Sequence, residues 1–233
     1  MSGLVIFDRQ HYGKPGSRSM PHALDCDMGV DCRPPCPVAV GGDMGAAYDL
    51  DHDGVIEDHE KEANLTPDYY LPAKRILEGM GHEVFVLDSG WYSSRHREAR
   101  KLAMLYPGRH CVYVACHVNA GGGNYSLVIS DARSTQGRHI AKEVSRAMLT
   151  EGIPGIERCI TRRGTPTAWT NGLNTIKGIY EGPSNLAGIC FEPYFLDRPE
   201  HNFAATTEGG ERIAAALANG IHNYACKRSL RVY

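Results

Sequence analysis

The sequence predicts a three-layer α/β fold, with a mostly parallel, twisted central sheet covered by helices on both faces. Three observations predict it. Short runs rich in β-branched and apolar residues alternate with helical patterns, and such alternation requires crossover connections between strands that lie in parallel. The runs are apolar at consecutive positions, as strands buried on both faces are. At 233 residues the chain is long enough for one sizeable core, so a single domain over 1–233 is expected.

The first strand covers about 3–8, where Leu4-Val5-Ile6-Phe7-Asp8 is unbroken apolar until its last residue. An irregular insert rich in Gly, Pro, Asp and Cys follows at about 17–61, and a segment of that kind in a compact domain usually carries a site. Thr66-Pro67-Asp68 then supplies a cap and a first-turn proline, and Tyr70, Ala73, Ile76 and Leu77 recur at helical spacing until Gly79 and Gly81 stop it. A strand is expected at about 83–88. Ser93 or Ser94 opens a second helix that runs to about Leu105 and ends before Pro107-Gly108. Strands at about 110–116 and 125–130 precede a third helix from about Ser134 to Leu149, and a last strand occupies about 186–192. The final helix, Thr207 to about Ala225, places Ile213, Leu217, Ile221 and Tyr224 on one face.

Composition excludes some function classes. With a formal net charge of -2 the chain lacks the basic excess of a nucleic-acid binder. Its apolar runs are strand-length, so no membrane span is expected. Met1-Ser2-Gly3 leads straight into a strand without a basic, apolar leader, so self-encoded secretion is not expected. Cys111, Cys116 and Cys190 sit in strand patterns and read as reduced core residues. His22, Cys26, Cys32 and Cys36 cluster in the insert, where a structural zinc, a disulfide and free thiols are all open readings.

The chemistry starts at His117. It follows the run Val112-Tyr113-Val114-Ala115-Cys116 and precedes Ala120-Gly121-Gly122-Gly123, the strand tip at which open α/β sheets hold ligands. His11 stands similarly after the first strand. Two imidazoles at two strand tips suggest a zinc centre assembled from distant segments, which needs a third ligand. Glu62, just before the first long helix, is that ligand, with Glu60 the alternative. Glu192 ends the strand Leu186–Phe191 with Pro193-Tyr194-Phe195 behind it, a shielded position that suits a general base.

A second metal loop lies in the insert. From Asp49 to Glu60 the residues fit a twelve-residue calcium loop: Asp49, Asp51 and Asp53 at positions 1, 3 and 5, Gly54 at 6, Val55 giving a carbonyl at 7, and Glu60 at 12. A glutamate holding Ca2+ bidentately does not readily serve zinc too, which favours Glu62 for the zinc. Further along, Arg162-Arg163-Gly164 and Trp169 are candidate contacts to peptide carboxylates and sugar faces, with ordinary surface and core roles as the plainer reading.

Together these elements resemble the zinc-dependent N-acetylmuramoyl-L-alanine amidases of the amidase-3 type, over nearly the whole chain. The resemblance rests on a first strand running to His11, Glu62 ahead of the helix over Leu65 to Glu78, the step His117-Val118-Asn119-Ala120, and Ile189-Cys190-Phe191-Glu192 followed by an aromatic and Asp197-Arg198-Pro199-Glu200. Gln10 and Tyr12 flank His11 where the family usually has glycines. The resemblance implies that His11, Glu62 and His117 hold Zn2+, that Glu192 is the acid-base residue, and that the amide between muramic acid and L-alanine of peptidoglycan is hydrolysed. With no leader and no appended wall-binding domain in view, a compact phage-type endolysin is expected, monomeric and held in the host cytoplasm until release. Two other readings order similar residues: a zinc carboxypeptidase-like peptidase, and a non-catalytic, calcium-stabilised wall-binding module.

Overall fold

The computed structural model describes residues 2–10, 45–48, 60–88 and 92–229. Six strands form one sheet: β1 (Leu4–Arg9), β2 (Glu83–Leu87), β3 (Cys111–Cys116), β4 (Ser126–Asp131), β5 (Cys159–Gly164) and β6 (Leu186–Glu192). Their order is β2-β1-β3-β6-β4-β5. All neighbours run parallel except β4 and β6, which pair antiparallel. The helices are α1 (Glu62–Leu65), α2 (Pro67–Gly79), α3 (Tyr92–Leu105), α4 (Thr135–Glu151), α5 (Thr170–Asn174), α6 (Lys177–Tyr180) and α7 (Thr207–Ser229), with a 3-10 turn at Pro199–Ala205.

Strand alternation builds two cores from one sheet. Val5 and Phe7 of β1, Val112 and Val114 of β3, and Ile189 and Phe191 of β6 face one layer, made by α2, α4 and α7. Leu4, Ile6, Tyr113, Ala115 and Cys190 face the other, where Ala99 and Ala103 of α3 and Ile179 of α6 close over them. This is the three-layer arrangement expected. α7 lies against both α2 and α4, and it approaches α4 so closely at Gly220 that a Cβ there would stand 2.5 Å from the Val144 Cα. Cys111, Cys116 and Cys190 are buried and free, as read.

Three features differ from the expectation. β5 lies outside the expected strands, because CITRRG at the sheet edge is buried only at its two end residues and carries two arginines instead of an apolar run. The short α5, α6 and 3-10 turn are below the length at which periodicity is legible. The first helical segment begins at Glu62 rather than Thr66, and Thr66 itself has helical backbone angles, so α1 leads into α2 almost without interruption. No described helix is long and apolar enough to cross a membrane.

Register brings three strand tips level. Arg9 stands opposite Cys116, and Cys116 opposite Phe191, so the chain leaves β1, β3 and β6 at one edge of the sheet.

Candidate active site

His117 is the first residue past β3, and its main-chain N–H still donates to the Phe191 carbonyl at 3.0 Å. Its own carbonyl accepts from the Tyr69 hydroxyl of α2 at 3.0 Å, which fixes the strand exit from the opposite layer. The imidazole Nδ1 lies 2.7 Å from Glu62 Oε1. That same oxygen accepts from the Val118 N–H at 3.0 Å, while Oε2 accepts from the Ala46 N–H at 2.8 Å. Glu62 is therefore held by main chain from two segments, and both it and His117 are buried.

Glu192 ends β6 on the same cleft. Asn119 Nδ2 donates to its Oε2, and the Cys190 thiol, two residues back on the same strand face, donates to its Oε1 at 3.6 Å. Burial above all, and the Glu62 carboxylate with it, pushes the Glu192 carboxyl above its ordinary value against the opposing pull of His117. For His117 burial opposes the charged form, but the charge and hydrogen bond of Glu62, with Glu192 and Asp8 beyond, outweigh it and the pKa rises. A basic imidazole thus sits between two acids, one of which resists ionisation.

The three residues line a cleft of about 360 Å³ together with Tyr92, Asn119, Asn171 and Thr175. The loop after His117 is shaped by its glycines: Gly121 and Gly122 have φ of +113° and +77°, and both N–H groups donate to Asp197 Oδ2 at 2.8 Å. Asp197, in the turn after Tyr194-Phe195, therefore clamps the loop that carries Asn119. The sequence places Asp197 in the motif after Glu192 but does not show its clamping role, nor that of the Tyr69 hydroxyl, because each acts on main chain far from it in sequence.

Of the residues predicted for the site, Glu62, His117 and Glu192 meet on this cleft. Glu60 is fully buried and does not line it. His11 lies outside the described residues, as do Asp49, Asp51, Asp53, Val55, His22, Cys26, Cys32 and Cys36. Among the described residues no group of three His, Cys, Asp or Glu side chains is placed to hold a metal. Gln10, the last described residue before His11, leaves β1 at the same sheet edge.

Solved structures share this fold. Cwp6 from Clostridium difficile covers 96% of this chain at 15% identity with a TM-score of 0.65, and this chain spans 29% of its length. The N-acetylmuramoyl-L-alanine amidase AmiC2 of Nostoc punctiforme matches at 19% identity and a TM-score of 0.58, covering 96% of this chain and 98% of its own. The catalytic domain of the CD27L endolysin targeting Clostridia difficile matches at 15% identity and a TM-score of 0.54, again over 96% of this chain and 98% of its own. No protein-family model matches the sequence, and no curated protein matches it. The fold that the amidase resemblance implied is the fold observed.

Proposed function

We propose that this protein is a zinc-dependent N-acetylmuramoyl-L-alanine amidase, hydrolysing the amide between the lactyl group of N-acetylmuramic acid and L-alanine in peptidoglycan. One observation carries the reading: Glu62, His117 and Glu192, from three separate elements, line a single cleft at the level strand tips. The shared fold with AmiC2 and the CD27L catalytic domain supports it. The Glu62 carboxylate and the His117 imidazole, 2.7 Å apart, are donor types zinc takes, so the two described residues fit two places of a zinc site. His11, Glu62 and His117 are the proposed ligands. Bound there, zinc supplies a Lewis acid for the amide carbonyl and makes water easier to deprotonate.

The chain's own residues do the rest. Glu192 takes a proton from the attacking water, whose oxygen adds to the carbonyl carbon, and returns that proton to the alanine nitrogen as the C–N bond breaks. Its raised pKa suits both halves of this exchange. Asn119 holds the carboxyl at the cleft through Oε2, and the Ala46 and Val118 amides keep Glu62 from swinging away. The likeness to the CD27L domain further supports a lytic, endolysin-type role. Calcium at Asp49, Asp51, Asp53, Val55 and Glu60 belongs to the same proposal. Ala46–Tyr48 pairs with Glu60–Glu62 on either side of that loop, so a cation in it stiffens the backbone carrying Glu62.

Digestion of purified peptidoglycan is the test. New L-alanine amino termini and free lactyl carboxylates are expected in equal amounts, with one zinc per chain by metal analysis and a higher melting temperature in calcium. Glu192→Ala should keep its zinc and lose ~10²–10⁴-fold of the rate. Full activity in that variant, or release of C-terminal amino acids instead, overturns the reading.

A further inference from the structure

The cleft shares wall residues with two neighbouring cavities that share none with each other, and the two are chemically unlike. Through Tyr92 and Asn174 it joins a cavity of about 520 Å³ whose wall includes Arg100 and Lys177. Through Asn119, Asn171 and Glu192 it joins one of about 450 Å³ whose wall includes Trp169.

We propose that the cleft is directional, with the stem peptide lying over the Arg100–Lys177 side, its carboxylates paired there, and the glycan lying over the Trp169 side. The inference rests on the amidase reading, since the bond cleaved in that reaction joins a sugar to an acidic peptide and so needs two unlike flanks. Neither cation is paired with an acid among the described residues. Arg100 Nε donates to the His96 carbonyl at 3.3 Å, which leaves its Nη groups for a ligand, and Lys177 Nζ donates to Asn174 Oδ1 at 3.1 Å. Glu181 is the acid on that wall, and it forms no ion pair with either cation. Two unpaired cations in a concave site attract a carboxylate, with the guanidinium able to hold it bidentately.

The opposite flank is built around one ring. Among the described residues Trp169 is the only one other than glycine in the left-handed region, at φ +58°. An L-residue is held in such a conformation only when its surroundings dictate it, and residues of this kind gather at ligand clamps. The residue is 38% exposed. The Arg162 guanidinium packs 5.4 Å from the ring centroid without lining the cavity, so the indole is supported in place as a flat apolar surface beside Glu192.

Calorimetry with two half-ligands on the zinc-loaded protein separates the flanks: L-alanyl-D-glutamate for the peptide and chitotriose for a neutral glycan. The double variant Arg100→Gln/Lys177→Gln should weaken the dipeptide at least ~10-fold and leave chitotriose unchanged, and Trp169→Ala should do the reverse. Added salt should weaken only the dipeptide. An exchange of the two patterns, loss of both ligands in either variant, or no dipeptide binding by the parent protein overturns the proposal. Peptidoglycan turnover followed alongside keeps the readings apart: a parent protein that binds both half-ligands by this pattern but releases no L-alanine termini sinks the amidase reading, not the binding geometry.

Discussion

Asp8 shows how much of the site depends on a residue that touches no substrate. It is fully buried at the end of β1 and accepts from Arg95 Nη1 of α3 at 2.5 Å, from the Tyr113 hydroxyl of β3 and from the Gln10 side chain. Arg95 is equally buried and also donates to the Arg9 carbonyl at 2.6 Å. The pair pins the last turn of chain before His11 to the sheet and to the helix that opens the cleft at Tyr92. Removing one partner of a buried ion pair strands the other charge, so Asp8→Ala should lower unfolding free energy by about 3–5 kcal/mol in urea denaturation. A loss below about 1 kcal/mol would mean that water reaches Arg95. At this scale the sequence makes the cleft residues legible, because His117, Glu62 and Glu192 stand beside strand and helix signals and line one cleft. It does not show the Asp8–Arg95 pairing or the clamp made by Asp197, whose partners are supplied by tertiary folding alone.

Among the elements, the junction of α1 with α2 is where local sequence and distant contact meet. Pro67 begins α2 and has no N–H, so the Ala63 carbonyl four residues earlier loses its ordinary helical donor. Arg9 replaces it: its Nε donates to the Ala63 carbonyl at 2.9 Å and its Nη2 to Asn64 Oδ1 at 3.2 Å. The tip of β1 is thereby fastened to the helical segment that starts at Glu62. Arg9→Leu should cost about 1–3 kcal/mol by stranding that carbonyl. Adding Pro67→Ala should recover part of the loss, because the restored N–H serves Ala63, and a double-mutant cycle with no coupling rules the explanation out. The same junction marks the limit of sequence reading at this scale. Thr66-Pro67 is a sound start signal for a helix, yet the backbone enters helical geometry at Glu62 through contacts made by Arg9 and Ala46. β5 is illegible in the sequence for a related reason, since an edge strand with intermediate and exposed positions needs no apolar run.

For the molecule as a whole, the sheet and its two covering layers were legible because burial on both faces writes itself into consecutive apolar positions. The antiparallel entry of β4 beside β6 was not, since strand direction is decided by where the chain returns. Buried histidines tie distant elements together, and among the described residues they are groups whose folded state resists protonation. His82 Nδ1 accepts from the Gly3 N–H at 3.0 Å and its Nε2 meets His222 Nδ1 of α7 at 3.0 Å, joining the first strand to the last helix. His96 of α3 meets the Thr175 carbonyl at 2.7 Å, between α5 and α6, and His201 Nδ1 accepts from the Phe195 N–H at 2.9 Å just past β6. Burial, as the leading cause, lowers all three from the ordinary imidazole value of 6.5. In the unfolded chain they protonate near that value, whereas in the folded chain they stay neutral to lower pH. The unfolded state then binds more protons, and stability falls as pH drops through about 6.5 toward the folded values, by at most about 1.4 kcal/mol per pH unit for each histidine. His117 has the opposite sign, because Glu62 raises it, so its contribution is present in acid and fades as pH rises. Glu192 and Asp68 share that sign, since burial raises both, but their ordinary values of 4.5 and 3.8 lie below this window. Among the described residues the three histidines therefore lead, and the melting temperature should fall between pH 7.5 and pH 5.5. His82→Gln and His201→Gln, which cannot take up a proton in that range, should each flatten the decline, and slopes unchanged in both variants would place the acid sensitivity elsewhere in the molecule.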